Sequence, residues 1–269
     1  MEKLKYIFAQ PDYIEGINKD NPISIFPVKL KDYDRFNEVS HLLHISKNHF
    51  EETEYPLLML VFMCMQQLQL TQEELVKKLE DTFSIVTRKE VKFVSDDKTN
   101  FEGFIIGFSE EEDSVTNNAG IKQINLTNVQ NKNIIHIQNY EQIRDIIMKQ
   151  NLIFEQKIYK SKLVQEWANK VLESRSKNSS KITIEDIITT VSVYKSKNYD
   201  ELIEYTLYQI YADFYRIRKM KKYDTDTLFA TVAEKVTIED FAEEINMFKS
   251  PYDDLFVDSS KLNKLNSLV

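Results

Sequence analysis

The stretch FSIVTRKEVKFV (residues 83–94) is where the apolar pattern of this chain changes period. From residue 83 to residue 138 the apolar residues gather in short runs rich in Val, Ile and Phe, at 83–94, 101–108, 121–126 and 134–137. Polar turns separate them, which predicts strands. The segment therefore reads as a small antiparallel meander. Gly103, Gly107 and Gly120 lie inside it, and the fourth glycine, Gly16, does not. The acidic run 110–113 and the residues behind it, 114–120, read as an exposed loop.

On either side the period is helical. Residues 1–22 are irregular, with Pro11 and Pro22 as breakers. Residues 23–30 read as a short strand, and Pro27 suggests a sheet edge. Residues 31–45 read as a helix burying Tyr33, Phe36, Leu42 and Leu43. Residues 54–70 are apolar all round, which predicts a central buried helix. TQEE (71–74) is a capping-box pattern opening a helix to about residue 82. Beyond the meander, Asn139 is placed to cap a helix carrying Ile143, Ile146 and Ile147. A helix over 160–175 would bury Leu163, Val164, Trp167, Ala168, Val171 and Leu172. Residues 176–180 form a polar break. TIED (183–186) opens a helix with Ile187, Ile188 and Val191. A last short helix is predicted over 237–248, and 249–269 is a polar tail. The fold class is α+β and mainly helical. Its parts are an N-terminal strand-and-helix part (1–82), the meander (83–138), a helical domain (139–248) and the tail (249–269).

The densest functional signal is NYDELIEYTLYQIYADFYRIRKMKK (198–222), read as one helix. Half of the 14 tyrosines fall between residues 194 and 223. Ile203, Leu207, Ile210, Phe214 and Ile217 step by four, three, four and three, so they share one stripe. Tyr208, Tyr211 and Tyr215 form a second stripe about 100° to the side. Tyrosine buries a large area with few rotors and keeps a polar tip, which suits interfaces. Equally, the stripe and its tyrosines can pack wholly within a helical core. Arg216, Arg218, Lys219, Lys221 and Lys222 make a basic cluster beside Tyr215 and Tyr223. Aromatics interleaved with cations can hold nucleic acid. Cations at a helix C-terminus also simply complement the macrodipole. The partner-binding candidates are Tyr208, Tyr211, Tyr215, Arg216, Arg218 and Lys219.

Composition removes several function classes. The chain has 269 residues and only four glycines, where average usage of about 7 % gives roughly nineteen. Loops that cradle phosphates need glycine where backbone N–H groups approach the ligand. No G-x-G-x-x-G, G-x-x-x-x-G-K or G-x-S-x-G occurs. The net charge of -8 disfavours nucleic acid and anionic membranes as general partners. Cys64 is the single cysteine, so no internal disulfide forms, and a buried thiol in a reducing compartment is expected. No secretory leader is visible, and the longest apolar run, 57–65, is nine residues against about twenty for a membrane span. A soluble protein of the cytoplasm is expected.

Catalytic and metal sites are not legible. His41 and His44 can share a helix face, with His49 nearby, yet only Cys64 or Glu51, Glu52 and Glu54 complete a metal set. Surface or core histidines are the better reading. The acidic run 110–113 lacks the spaced ligands of a calcium loop. No nucleophile, base and orienter stand in a recognisable pattern. The expectation is no enzyme, no cofactor and no metal.

Four phrases carry a family likeness: NYEQIRDIIMKQNLIFE (139–155), KLVQEWANKVLESR (162–175), ITIEDIITTVSVYKSKNYDELIEYTLYQIYADFYRI (182–217) and YDTDTLFATV (223–232). They resemble structural or tail-assembly proteins of phages infecting low-GC Gram-positive bacteria. KLKDYDRFNEVSHLL (29–43) is similar to the N-terminal part of tail assembly chaperones. The resemblance implies a non-enzymatic role in morphogenesis, with the tape-measure protein or other tail components as partners; self-association is a further expected contact. Tail assembly chaperones are often shorter, and the strand-rich insert at 83–138 departs from them. That departure admits a second reading, a tail, neck or baseplate subunit kept in the mature virion. A nucleic-acid-binding protein using 216–222 is the third.

Overall fold

Leu75, Leu79, Phe83 and Val86 step by four, four and three, and all are fully buried on a single helix, Gln72–Thr87. The computed structural model describes residues 2–16, 22–50, 54–96, 101–109, 114–116, 122–124, 132–178, 182–233, 235–253 and 255. The chain divides into two units. One combines Met1–Ile153 with Asn198–Tyr211, and the other combines Phe154–Lys197 with Ala212–Val269.

The first unit opens with α1 (Glu2–Ile7) and the antiparallel pair β1 (Asp12–Ile14) and β2 (Ile23–Ile25). Next come α2 (Tyr33–Val39), α3 (Leu57–Met63) and α4 (Gln72–Thr87). β3 (Val91–Asp96) and β4 (Phe101–Ile106) pair antiparallel, with Phe93 opposite Phe104. β5 (Ser114–Thr116) pairs with β6 (Lys122–Ile124) as a separate ribbon. β7 (Ile134–Ile135) then adds to β4, giving the order β3-β4-β7. β7 crosses close to Gly103, where a Cβ would come within 2.6 Å of the Ile134 side chain. Glycine is required there by space. α5 (Tyr140–Gln150) packs against α3 and β2, burying Tyr140, Ile143 and Ile147. α4 lies between α2, β2 and the sheet, so its stripe is the centre of the core.

Local chemistry explains the element ends. The Thr71 hydroxyl accepts from the Glu74 N–H at 3.2 Å, and the Glu74 carboxylate accepts from the Thr71 N–H at 2.8 Å. This is the expected reciprocal cap. α4 stops where Arg88 turns left-handed at φ 56°. So the run 83–94 is not one strand: its first five residues complete a helix, and only Val91 onward is sheet. Residues 114–116 are a strand rather than loop. The acidic run 110–113 lies outside the described residues. The helix expected over 54–70 is cut to Leu57–Met63: the Cys64 N–H is shared between the Leu60 carbonyl and the Val61 carbonyl, and Met65 N–H bonds only three residues back, to Phe62. The helix expected over 31–45 is α2 between two 3-10 turns, Leu30–Asp32 and Ser40–His44. Asn139 stands before α5, but its side chain does not cap it. It accepts from His136 N–H at 2.8 Å and donates to the Ile134 carbonyl at 2.9 Å, anchoring β7.

The second unit holds α6 (Lys162–Asn178), α7 (Ile184–Lys195) and most of a long final helix. α8 (Tyr199–Leu202) and the first turns of that helix, α9 (Leu207–Ala230), belong to the first unit. Leu163 and Trp167, expected inside, are 76 % and 49 % exposed on α6, while Ala168 is buried. The two sit in a shallow concavity of about 330 Å³ with Glu166 and Lys170. Among the described residues, no helix is long and apolar enough to cross a membrane.

Residues 203–206 are stitched to residues 29–31 in the first unit. Leu30 N–H donates to Tyr205 and Lys31 N–H to Ile203, at 2.8 and 3.0 Å. Glu204 adds ion pairs to Lys29 at 2.5 Å and Lys31 at 2.7 Å. The hydrogen bonds from Lys29 and then Lys31 hold the Glu204 carboxyl at about 2, below its ordinary 4.5. A depressed carboxylate pKa stabilises the fold above the ordinary value and loses that contribution as pH falls through the folded one. Glu204→Gln is therefore expected to melt below the parent at neutral pH, with the gap closing as pH is lowered from 4.5 to about 2. Thermal melts across that range check it, and a gap that persists at the acid end refutes it.

Candidate functional site

The helix carrying the candidate residues starts later and ends later than its sequence suggests. Residues 198–222 were expected as one helix. Instead the backbone of 203–206 is used by the contacts to residues 29–31, which interrupt the helical ladder. A fresh cap then starts α9. Thr206 N–H donates to the Gln209 side chain at 2.8 Å, and Gln209 N–H donates to the Thr206 hydroxyl at 3.3 Å. α9 runs on to Ala230.

The apolar stripe is core within the helix: Leu207, Ile210, Phe214 and Ile217 are buried. Ile203 lies outside the helix and is exposed. The tyrosine flank is graded. Tyr208 is buried against Tyr6, ring centroids 5.5 Å apart. Tyr211 is half-buried, and Tyr215 is 39 % exposed with its ring set edge-on to Phe214 at 5.8 Å. The flank therefore offers Tyr215 to solvent and keeps Tyr208 in the core.

The basic cluster is engaged by the chain itself. The Arg216 guanidinium donates to the Phe241 carbonyl and, at 3.1 Å, to the Glu243 carbonyl. Lys219 pairs with the Glu243 carboxylate. Lys222 stands between Asp226 at 3.1 Å and Glu239 at 3.0 Å. Those two carboxylates, Glu239 foremost, raise the Lys222 ammonium above its ordinary range. The Tyr223 ring meets Phe241 edge-on at 5.2 Å. Arg218 lies over the Phe214 ring at 5.7 Å, and Lys221 over the Tyr194 ring at 5.4 Å. Arrangements of this kind are usual cation–π contacts.

The acidic segment 239–243 is not the helix expected over 237–248. The Asp240 carboxylate accepts from Ala242 N–H at 2.8 Å, and Asn246 does the same for Phe248 at 3.1 Å. Such side-chain turns compete with the helical ladder and here they win. Sequence reasoning found the cations and missed their counterpart. The available signal was the acidic stretch IEDFAEE (238–244) lying shortly after a basic helix end.

The histidine cluster is structural in its contacts. His49 caps its own turn by accepting from Ser46 N–H at 3.2 Å, and His41 bonds the Glu38 carbonyl at 3.1 Å. Burial lowers the His41 and His44 imidazoles, with Lys78 adding to the first and Arg144 to the second. Among the described residues no group of three or more His, Cys, Asp or Glu side chains is placed to hold a metal ion.

Comparison with known proteins falls on the same stretch. Residues 175–246 match the family model of the YomV second domain. That range takes in α7, α8, α9 and the acidic segment, so the basic face and its internal counterpart both lie within the matched range. The chain is also 32 % identical over 124 residues, 46 % of its length, to the SPbeta prophage-derived uncharacterized protein YomV of Bacillus subtilis (strain 168). The aligned part spans about half of that relative, 52 %. No solved structure matches the chain. The likeness to phage proteins thus has a prophage-derived homologue behind it, and the matched names mention no tail component.

Proposed function

We propose that the chain is a non-enzymatic phage morphogenesis protein working by protein–protein contact, as a tail-assembly chaperone for the tape-measure protein in the host cytoplasm. The observation that carries the contact reading is the α9 face, whose cations hold the carboxylates and carbonyls of a peptide segment. The prophage-derived homologue supports the phage setting. Tyr215, Arg218 and their surroundings on α9 are the surface part of the interface, since Tyr208 serves the core. Co-expression with the tape-measure protein of the same phage tests the reading. Tyr215→Ala with Arg218→Ala is expected to cut capture at least about tenfold, the scale of one interface hot spot, and to lower stability only by about 1–2 kcal/mol, from the two ring contacts to Phe214 that are lost. Undiminished capture by the double variant sinks the assignment.

The β3-β4-β7 sheet favours a second reading, because a strand-rich insert is foreign to the chaperones that the sequence resembles. In that reading the chain is a tail, neck or baseplate subunit of the mature particle. Mass spectrometry of purified virions separates the two: a chaperone is depleted and a subunit is present in fixed ratio. A nucleic-acid role for 216–222 has less support, because Arg216, Lys219 and Lys222 already serve peptide groups.

A further inference from the structure

The segment that covers the basic face of α9 is held as a ligand is held, by groups of three different kinds. Arg216 reads its backbone through two carbonyls, Phe241 and Glu243. Lys219 and Lys222 read its charge at Glu243 and Glu239. Tyr223 reads its aromatic ring at Phe241. A tight turn closed by Glu243 N–H on the Asp240 carbonyl, 3.2 Å, brings these three residues to one helix. Yet the segment is not built as a core element. Phe241 is 43 % exposed, and the Glu239 and Glu243 side chains are 56 % and 63 % exposed. Exposed ion pairs of this kind are weak and screened by salt. The described residues between α9 and Glu239 have no helix or strand.

We propose that residues 237–244 are a displaceable strap, and that the α9 face from Arg216 to Tyr223 receives an acidic segment of a partner protein with an aromatic residue between carboxylates. This rests on the protein-contact reading above and names the chemistry of the partner. The strap is an internal copy of the ligand. It keeps the face covered until a segment with more contacts competes it away, which lowers the apparent affinity for every weaker acidic peptide.

The probe is a labelled synthetic peptide of residues 236–247, VTIEDFAEEINM, added to the full chain. Anisotropy is expected to show binding at least about tenfold tighter to the Phe241→Ala, Glu243→Gln chain than to the parent, because the competing strap is weakened. Lys219→Glu placed in that chain is expected to abolish binding, and a peptide with Lys in place of its Glu243 is expected to restore it. On the parent chain, saturating peptide is expected to speed hydrogen exchange at 237–244, a readout that needs no variant to fold. Equal affinity for parent and strap-weakened chains, binding indifferent to Lys219→Glu, or unchanged exchange would each overturn the strap. A single-stranded oligonucleotide of matched charge that binds as tightly as the peptide would overturn it in favour of a general anion surface. Such failures leave the morphogenesis reading standing, since that is decided by virion content and tape-measure capture.

Discussion

Replacing Phe83 by alanine is expected to lower the folding stability of the chain by about 3–5 kcal/mol, the cost of removing a fully buried aromatic ring. Phe83 has no exposed surface. Its ring meets Phe104 of β4 edge-on, centroids 5.0 Å apart at 69°, and Tyr140 of α5 at 6.2 Å and 82°. One side chain thus joins α4, the sheet and α5. Edge-to-face pairs add to the area term, and neighbours drawn from three separate elements have little freedom to collapse into the void. Denaturant unfolding of parent and variant measures the difference. Leu228→Ala, at a 69 % exposed position on α9, is the control and should change stability by less than about 0.5 kcal/mol. A Phe83→Ala loss no larger than the control's would mean that α4 is not the centre of the core.

The second large effect is expected at Arg144, the largest fully buried side chain among the described residues. Its Nε–H donates to the Leu43 carbonyl at 2.7 Å, and its guanidinium meets the exposed Asp145 carboxylate at 3.0 Å. The first bond ties the 3-10 turn Ser40–His44 to α5. Arg144→Ala leaves both a cavity and a buried carbonyl that has lost a charged donor. Together these are expected to cost about 3–5 kcal/mol. Arg144→Met keeps most of the volume and loses the polar contacts, to the Leu43 carbonyl and the Asp145 carboxylate among them, so it should cost about 1–3 kcal/mol. Equal losses for the two would show that hydrogen bonding alone sets the price. Near-zero loss for alanine would show that the turn holds itself.

Phe83 also marks what a sequence reveals and what it hides. The window 83–94 contains Ile85, Val86, Val91, Phe93 and Val94, a composition suited to a strand. The deciding information lay upstream: Phe83 and Val86 continue the helical spacing of Leu75 and Leu79, and the cap at Thr71 had already started that helix. Features written in three or four consecutive residues were legible, as the boxes at Thr71–Glu74 and Thr183–Asp186 show. The Thr206–Gln209 cap was equally local, but it was masked because the apolar spacing runs straight through from Ile203 to Leu207. Pairings across long separations were not legible. Nothing near Ile203 announces that its carbonyl accepts from Lys31 N–H, and nothing near Arg216 announces a carbonyl at Phe241. The buried stripe of α9 could be read from period alone. The grading of its tyrosines could not, because the neighbours that cover Tyr208 come from residue 6.

The discontinuous first unit has a consequence for dissecting the molecule. A fragment ending at residue 153 would lack Leu202, Leu207, Tyr208 and Ile210, all buried, along with the Thr206 bridge to Lys29. Its Tyr6 ring would lose the Tyr208 face, and such a fragment should expose apolar surface and resist purification as a monomer. The stretch that matches the YomV second-domain model, 175–246, includes residues 198–211, which belong to the first unit. The matched stretch and the compact units are therefore different pieces, and no single cut yields two intact halves.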